Sequence, residues 1–126
     1  MREVMLVGAG GFLGAAARYL VGGWVHRWAA AGFPWGTWVV NLSGCLLLGA
    51  LMGTLQGRGA ISSDWRLFGG IGVLGGFTTF STLSYETVEL LRRAQPWQAL
   101  GNSLGSLILG CLAVVVGSAL VRSLLG

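Results

Sequence analysis

Apolar residues gather along the chain in four long stretches, at about 4–28, 36–55, 67–91 and 97–120, with short polar connectors between them. Each approaches or exceeds the roughly 20 residues that carry a helix across a hydrocarbon core. The pattern predicts an all-α integral membrane protein: a single domain of four transmembrane helices with almost nothing outside the bilayer. The third stretch is unusual. Five glycines between Gly69 and Gly76 run into the hydroxyl residues Thr78, Thr79, Ser81, Thr82 and Ser84. Glycine lets the backbone leave helical geometry, and hydroxyl groups supply hydrogen bonds at that depth. Irregular backbone inside a bilayer survives only where protein buries it or where it lines a polar cavity. The third helix is therefore expected to be broken, at a place where something polar binds or passes.

Other polar residues interrupt the apolar stretches. Arg18 lies roughly 21 Å along the first helix at 1.5 Å per residue. An arginine there is costly against lipid and should face protein or water. Gly14 and Gly22, four residues either side, share its face and leave room for a partner helix or an ion. Arg18 is either an interfacial anchor in a tilted helix or a group that attracts an anion. Asn41 enters the second stretch with Gly44 on the same face, and its amide must find partners in the bundle interior, as helix glue or as a solute contact. In the fourth stretch Asn102, Ser106 and Gly110 recur every four residues, a polar and small stripe on an apolar helix, beside the small pair Gly101 and Gly105. Glu86 sits one turn deeper than Glu89, where it pairs with an arginine or titrates if water reaches it. His26 reads as an interface residue.

Composition sharpens this picture. With 54% hydrophobic and 10% charged residues, the chain cannot cover a soluble surface. The tryptophans 24, 28, 35, 38, 65 and 97 fall near the ends of the stretches, as interfacial belts require. Pro34 and Pro96 precede helices, and Ser63-Asp64 offers an N-cap for the third. Cys45 and Cys111 stand in separate spans without a CxxC or Cys/His cluster and read as small packing residues. The first stretch is longer than a signal-peptide core and is interrupted by Arg18. Lysine is absent and no basic run exists, which argues against a nucleic-acid partner. No catalytic constellation or phosphate loop is present, so no enzyme is expected; Gly8–Gly14 only superficially matches a dinucleotide fingerprint.

Charge also bears on orientation. Arg2, Arg58, Arg66 and Arg122 fall on one side of a four-span topology and Arg27, Arg92 and Arg93 on the other. Four against three hardly selects an insertion direction. Either a subtler signal fixes the orientation, or the chain inserts both ways and pairs as an antiparallel homodimer. Four short helices have little room to enclose a solute path, which favours an oligomer.

Taken together these segments resemble the Fluc (CrcB) family of fluoride channels over nearly the whole chain. The resemblance rests on Gly10-Gly11-Phe12-Leu13-Gly14-Ala15 with Arg18-Tyr19, on Pro34-Trp35-Gly36-Thr37 followed by Val40-Asn41-Leu42-Ser43-Gly44, and on Gly75-Gly76-Phe77-Thr78-Thr79-Phe80-Ser81-Thr82 with Glu86. It implies a dual-topology antiparallel homodimer in a cell membrane, the bacterial inner membrane, with two fluoride pathways. It also implies a central structural sodium ion held by the backbone carbonyls of Gly75 and Thr78. Arg18, Asn41, Phe80, Ser81, Thr82, Glu86, Asn102 and Ser106 would serve the pathway, and passive export would keep cytoplasmic fluoride low. Fluoride is small and strongly hydrated, so donors must replace its water; a phenyl ring turned edge-on also favours an anion. One position departs from the family pattern: Leu83 stands where a second phenylalanine is usual.

A rival class is the proton-coupled exporter of the small multidrug-resistance type, also four short spans. It needs a carboxylate deep in the first span, where this chain has Arg18 and only Glu3 at the edge.

Overall fold

The structure, a computed structural model, describes residues 1–56 and 61–125. Arg58, one of the arginines in the orientation tally, lies outside them. Among the described residues, four helical spans are long and apolar enough to cross a membrane. The first is α1 (Arg2–Trp28) and the second α2 (Trp35–Gln56). The third, Ser63–Arg92, is composite: α3 (Ser63–Trp65), a π-helical stretch Arg66–Leu74, α4 (Gly75–Phe77) and α5 (Phe80–Arg92). The fourth, Pro96–Leu125, joins α6 (Pro96–Leu100), a π-helical stretch Gly101–Gly105 and α7 (Ser106–Leu125). No strand forms among the described residues, so this is an all-α, multi-pass membrane protein.

The spans start and stop where local chemistry directs. Pro96 occupies the first turn of α6, where its missing N–H costs nothing. Ser62, not Ser63, caps the third span: its hydroxyl accepts the N–H of Trp65 at 3.3 Å. The α1–α2 turn passes through Gly32 at φ 107°, a left-handed conformation that glycine adopts without strain.

Very little apolar side-chain surface is buried. Among the described residues the buried hydrophobics are Val40, Leu90 and Ala99, while Phe12, Leu20, Leu107, Val115 and many others face outward. Lipid tails are as apolar as leucine, so burying leucine inside the bundle gains nothing in a bilayer. Close backbone packing replaces it. A Cβ at Gly10 would strike the carbonyl oxygen of Phe68, and one at Gly14 that of Val73. A Cβ at Gly76 would come within 2.6 Å of Gly11's oxygen. These contacts advance together along both chains, so α1 and the third span run parallel. The second and fourth spans do the same: Gly49 meets Val114, Gly53 meets Ser118, and Gly117 meets Leu46. Gly22 against Gly36 joins α1 to α2. The expected small pair Gly101 and Gly105 is not a backbone seam. It faces the Phe33 ring and the Trp38 indole, each at about 4 Å or just less.

At one end, the Arg2 guanidinium donates to Asp64, tying the start of α1 to the start of the third span. Both side chains are well exposed, and exposed pairs contribute at most about 1 kcal/mol. Asp64→Asn is expected to leave the thermal midpoint in detergent essentially unchanged, which a melting curve of the purified protein checks.

Candidate functional site

The third span breaks where the glycine run gives way to hydroxyl residues. Thr78 takes φ −81°, ψ 155° and Thr79 φ −149°, ψ 116°, two extended residues between α4 and α5. The Thr79 hydroxyl caps α5 by accepting the N–H of Thr82 at 3.2 Å. The backbone of Thr79 is satisfied from another span. Asn41 Nδ2 donates to the Thr79 carbonyl at 3.0 Å, and Asn41 Oδ1 accepts the Thr79 N–H at 2.8 Å. One amide side chain thus replaces both helical bonds, which the interior requires of a buried peptide unit. Asn41 is therefore helix glue in this structure, and its second amide hydrogen remains uncommitted.

The break frees two acceptors. In a continuous helix the carbonyls of Gly75 and Thr78 would receive the N–H groups of Thr79 and Thr82. Those donors are committed to Asn41 Oδ1 and Thr79 Oγ1. Gly75 and Thr78 thus carry backbone oxygens with no helical partner, on a segment beside a groove.

That groove is a cavity of about 780 Å³ lined by Asn41, Gly75, Thr78, Thr79, Phe80, Leu83 and Ser106 among others. Phe80 is 81% exposed, its ring projecting from the first turn of α5. Ser81 and Thr82 do not line the groove. They hold Thr79 instead, with its Oγ1 3.3 Å from Ser81 Oγ and donating to Thr82 Oγ1 at 3.0 Å.

Glu86 lines a second, smaller cavity of about 230 Å³ at one end of the bundle, with His26, Tyr85, Glu89 and Arg93. Among the described residues it forms no ion pair with an arginine. The hydroxyl of Thr37 donates to its Oε1 at 2.7 Å. Glu89 accepts from Arg92 at 2.8 Å. Asn102 is fully buried and donates to Thr87 Oγ1 at 3.0 Å, and Ser106 is buried one turn further along the same stripe. Arg18 is half-buried between Gly14 and Gly22, which both pack into the bundle, and it lines neither cavity. Two supporting residues were given no role from the sequence: Thr37, quoted only within a motif, and Thr87. Thr37 was findable, since it lies four residues before Asn41 on the same face; Thr87 carries no such signal.

Residues 5–118 match a family described as "CrcB-like protein, Camphor Resistance (CrcB)". The chain belongs to the CrcB family. Among curated members, it is 48% identical to a protein of Thermus thermophilus, over 100% of this chain and 98% of that one. It is 46% identical to a protein of Phenylobacterium zucineum, over 97% of each. A third, from Rhizobium meliloti, is 43% identical over 98% of this chain and 99% of its own length. All three carry the name "Fluoride-specific ion channel FluC". Within this CrcB chain the glycine–hydroxyl segment of the third span and Asn41 of the second meet at one break.

Proposed function

We propose that the chain is a fluoride-selective channel that lets fluoride leave the cytoplasm passively, working as an antiparallel pair of copies. Membership of the CrcB family and the names of its relatives support the ion. The arrangement that carries the reading is the Asn41-braced break at Thr78–Thr79, which opens a helix interior onto a mostly apolar groove with a few polar groups in its wall. The hydroxyl of Ser106, the spare amide hydrogen of Asn41 and the edge of Phe80 supply partners for a dehydrated anion. Ser81 and Thr82 act through Thr79. Glu86 and Asn102 belong to the approach from the small end cavity, and Arg18 acts on the anion from a distance.

The freed carbonyls of Gly75 and Thr78 fit a hard cation such as sodium, for which uncharged oxygens at a helix break are suitable ligands. A second copy related by a two-fold axis would double the two oxygens that each chain offers. The bound ion would supply fixed positive charge between the copies. The near-even arginine tally supports insertion in both directions, and the 81% exposed Phe80 suits a groove covered by a second copy.

Reconstitution into liposomes tests the reading. Under a potassium-diffusion voltage, a fluoride electrode is expected to record fluoride release without chloride release and without dependence on a pH gradient. Proton-coupled exchange, or equal passage of chloride, would overturn it.

A further inference from the structure

Among the described residues, five buried side-chain polar atoms have no hydrogen-bond partner: Trp38 Nε1, Glu86 Oε2, Gln98 Oε1, Asn102 Oδ1 and Ser106 Oγ. Buried polar atoms are normally paired, so each one calls for an account. They are not scattered. Gln98, Asn102 and Ser106 recur every four residues through α6, the π-helical stretch and α7, on one face of the fourth span. Glu86 is joined to α2 through Thr37, the residue before Trp38. Asn102 is joined to α5 through Thr87, the residue after Glu86. These bonds tie α2 to α5 and α5 to the fourth span, and of the five residues Glu86 lines the end cavity and Ser106 the groove.

Trp38 differs from an interfacial belt residue. Its ring stands edge-on to both Phe33 and Trp35, at centroid separations of 6.1 and 5.6 Å, which fixes its plane. Its Nε1 lies beside Gly105, whose Cβ position is 3.8 Å away, between Asn102 and Ser106 in the chain. The wide π turn at Gly101–Gly105 lies at this point of the fourth span, and such turns recur at functional sites. An indole nitrogen can only donate. It is thus a rigid, desolvated N–H with nothing to receive it, and the hydroxyl of Ser106, also without a partner, follows it along the fourth span. Two donors in sequence suit an anion shedding water. The Gln98 amide presents N–H instead of oxygen after a half turn, whereas the Asn102 amide is held as it stands by the Leu83 carbonyl and Thr87 Oγ1.

We propose that the indole N–H of Trp38 is a further donor on the anion's route, receiving fluoride between the Glu86 cavity and Ser106. This rests on the fluoride-channel reading. Trp38→Phe keeps a ring against Phe33 and Trp35 and deletes the donor. Losing a hydrogen bond to a charged partner predicts a fluoride efflux about tenfold slower than wild type, with the protein still assembled. The wild-type protein gives an independent reading. With tryptophan labelled by 15N, the Trp38 indole signal, identified by its loss in Trp38→Phe, or in Trp38→Leu if the first variant does not assemble, is expected to move downfield with sodium fluoride and stay put with sodium chloride. A structural role alone would not produce that anion-specific shift. Wild-type fluoride flux with a Trp38 signal blind to fluoride would overturn this assignment while leaving the channel intact. No fluoride flux in wild type would overturn the channel reading itself.

Discussion

Asn41→Asp is expected to abolish fluoride efflux from liposomes. Two effects combine. Aspartate keeps an acceptor for the Thr79 N–H but loses the donor to the Thr79 carbonyl, setting a carboxylate oxygen against it. An unpaired buried carbonyl costs about 1–3 kcal/mol, so the brace of the break is weakened. The new negative charge also lines the groove that the anion must traverse. Like charges about 4 Å apart at an effective dielectric near 20 repel by roughly 4 kcal/mol, about a thousandfold in rate. Electrode-recorded efflux, alongside size-exclusion chromatography to show assembly, checks this. Unchanged flux would remove Asn41 from the route, and aggregated protein would show that its brace is needed for folding.

The second large effect concerns stability. Gly14→Ala and Gly49→Ala each drive a methyl group into a backbone carbonyl, of Val73 and Val114 respectively, on a parallel neighbouring span. A backbone oxygen has no rotamer by which to move aside, so the helices must separate. Overpacking of this kind costs about 1–3 kcal/mol, and separation of a glycine seam in lipid also forfeits neighbouring contacts. Each variant is expected to lower the thermal midpoint in detergent and the yield of monodisperse protein. Gly8→Ala is the control, since nothing lies within 4 Å of the added atom. It should be neutral or slightly stabilising, by up to about 1 kcal/mol, through helix propensity. Equal losses at Gly8 and Gly49 would mean that glycine acts here through the unfolded chain and not through packing.

The spans were legible because a bilayer imposes length and apolarity on any segment that crosses it. The predicted limits at 36–55 differ by a residue at each end from Trp35–Gln56. The break was legible too, since hydroxyl residues after a glycine run have few other uses at that depth. The role of the glycines was not. Gly69 to Gly76 were expected to loosen the backbone, yet Arg66–Leu74 stays helical in wider turns, and Gly72 and Gly76 serve to press against Gly10 and Gly11. A sequence shows that a residue is small, not which neighbour needs the space. The same limit hid Gly49, Gly53 and Gly117. It also hid Trp38, whose position near a span end read as an interfacial anchor until its nitrogen proved to be buried.

The manner in which Asn41 fastens Thr79 has a consequence for motion. A joint tied at both its amide and its carbonyl by a side chain from a neighbouring span is a weld, and a welded joint does not pivot. Shutting such a conduit would have to rely on swinging rings or on crowding at its mouths. Its throughput would then follow the ion gradient and the voltage, like a fixed leak, with no cycle of opening and closing in the backbone.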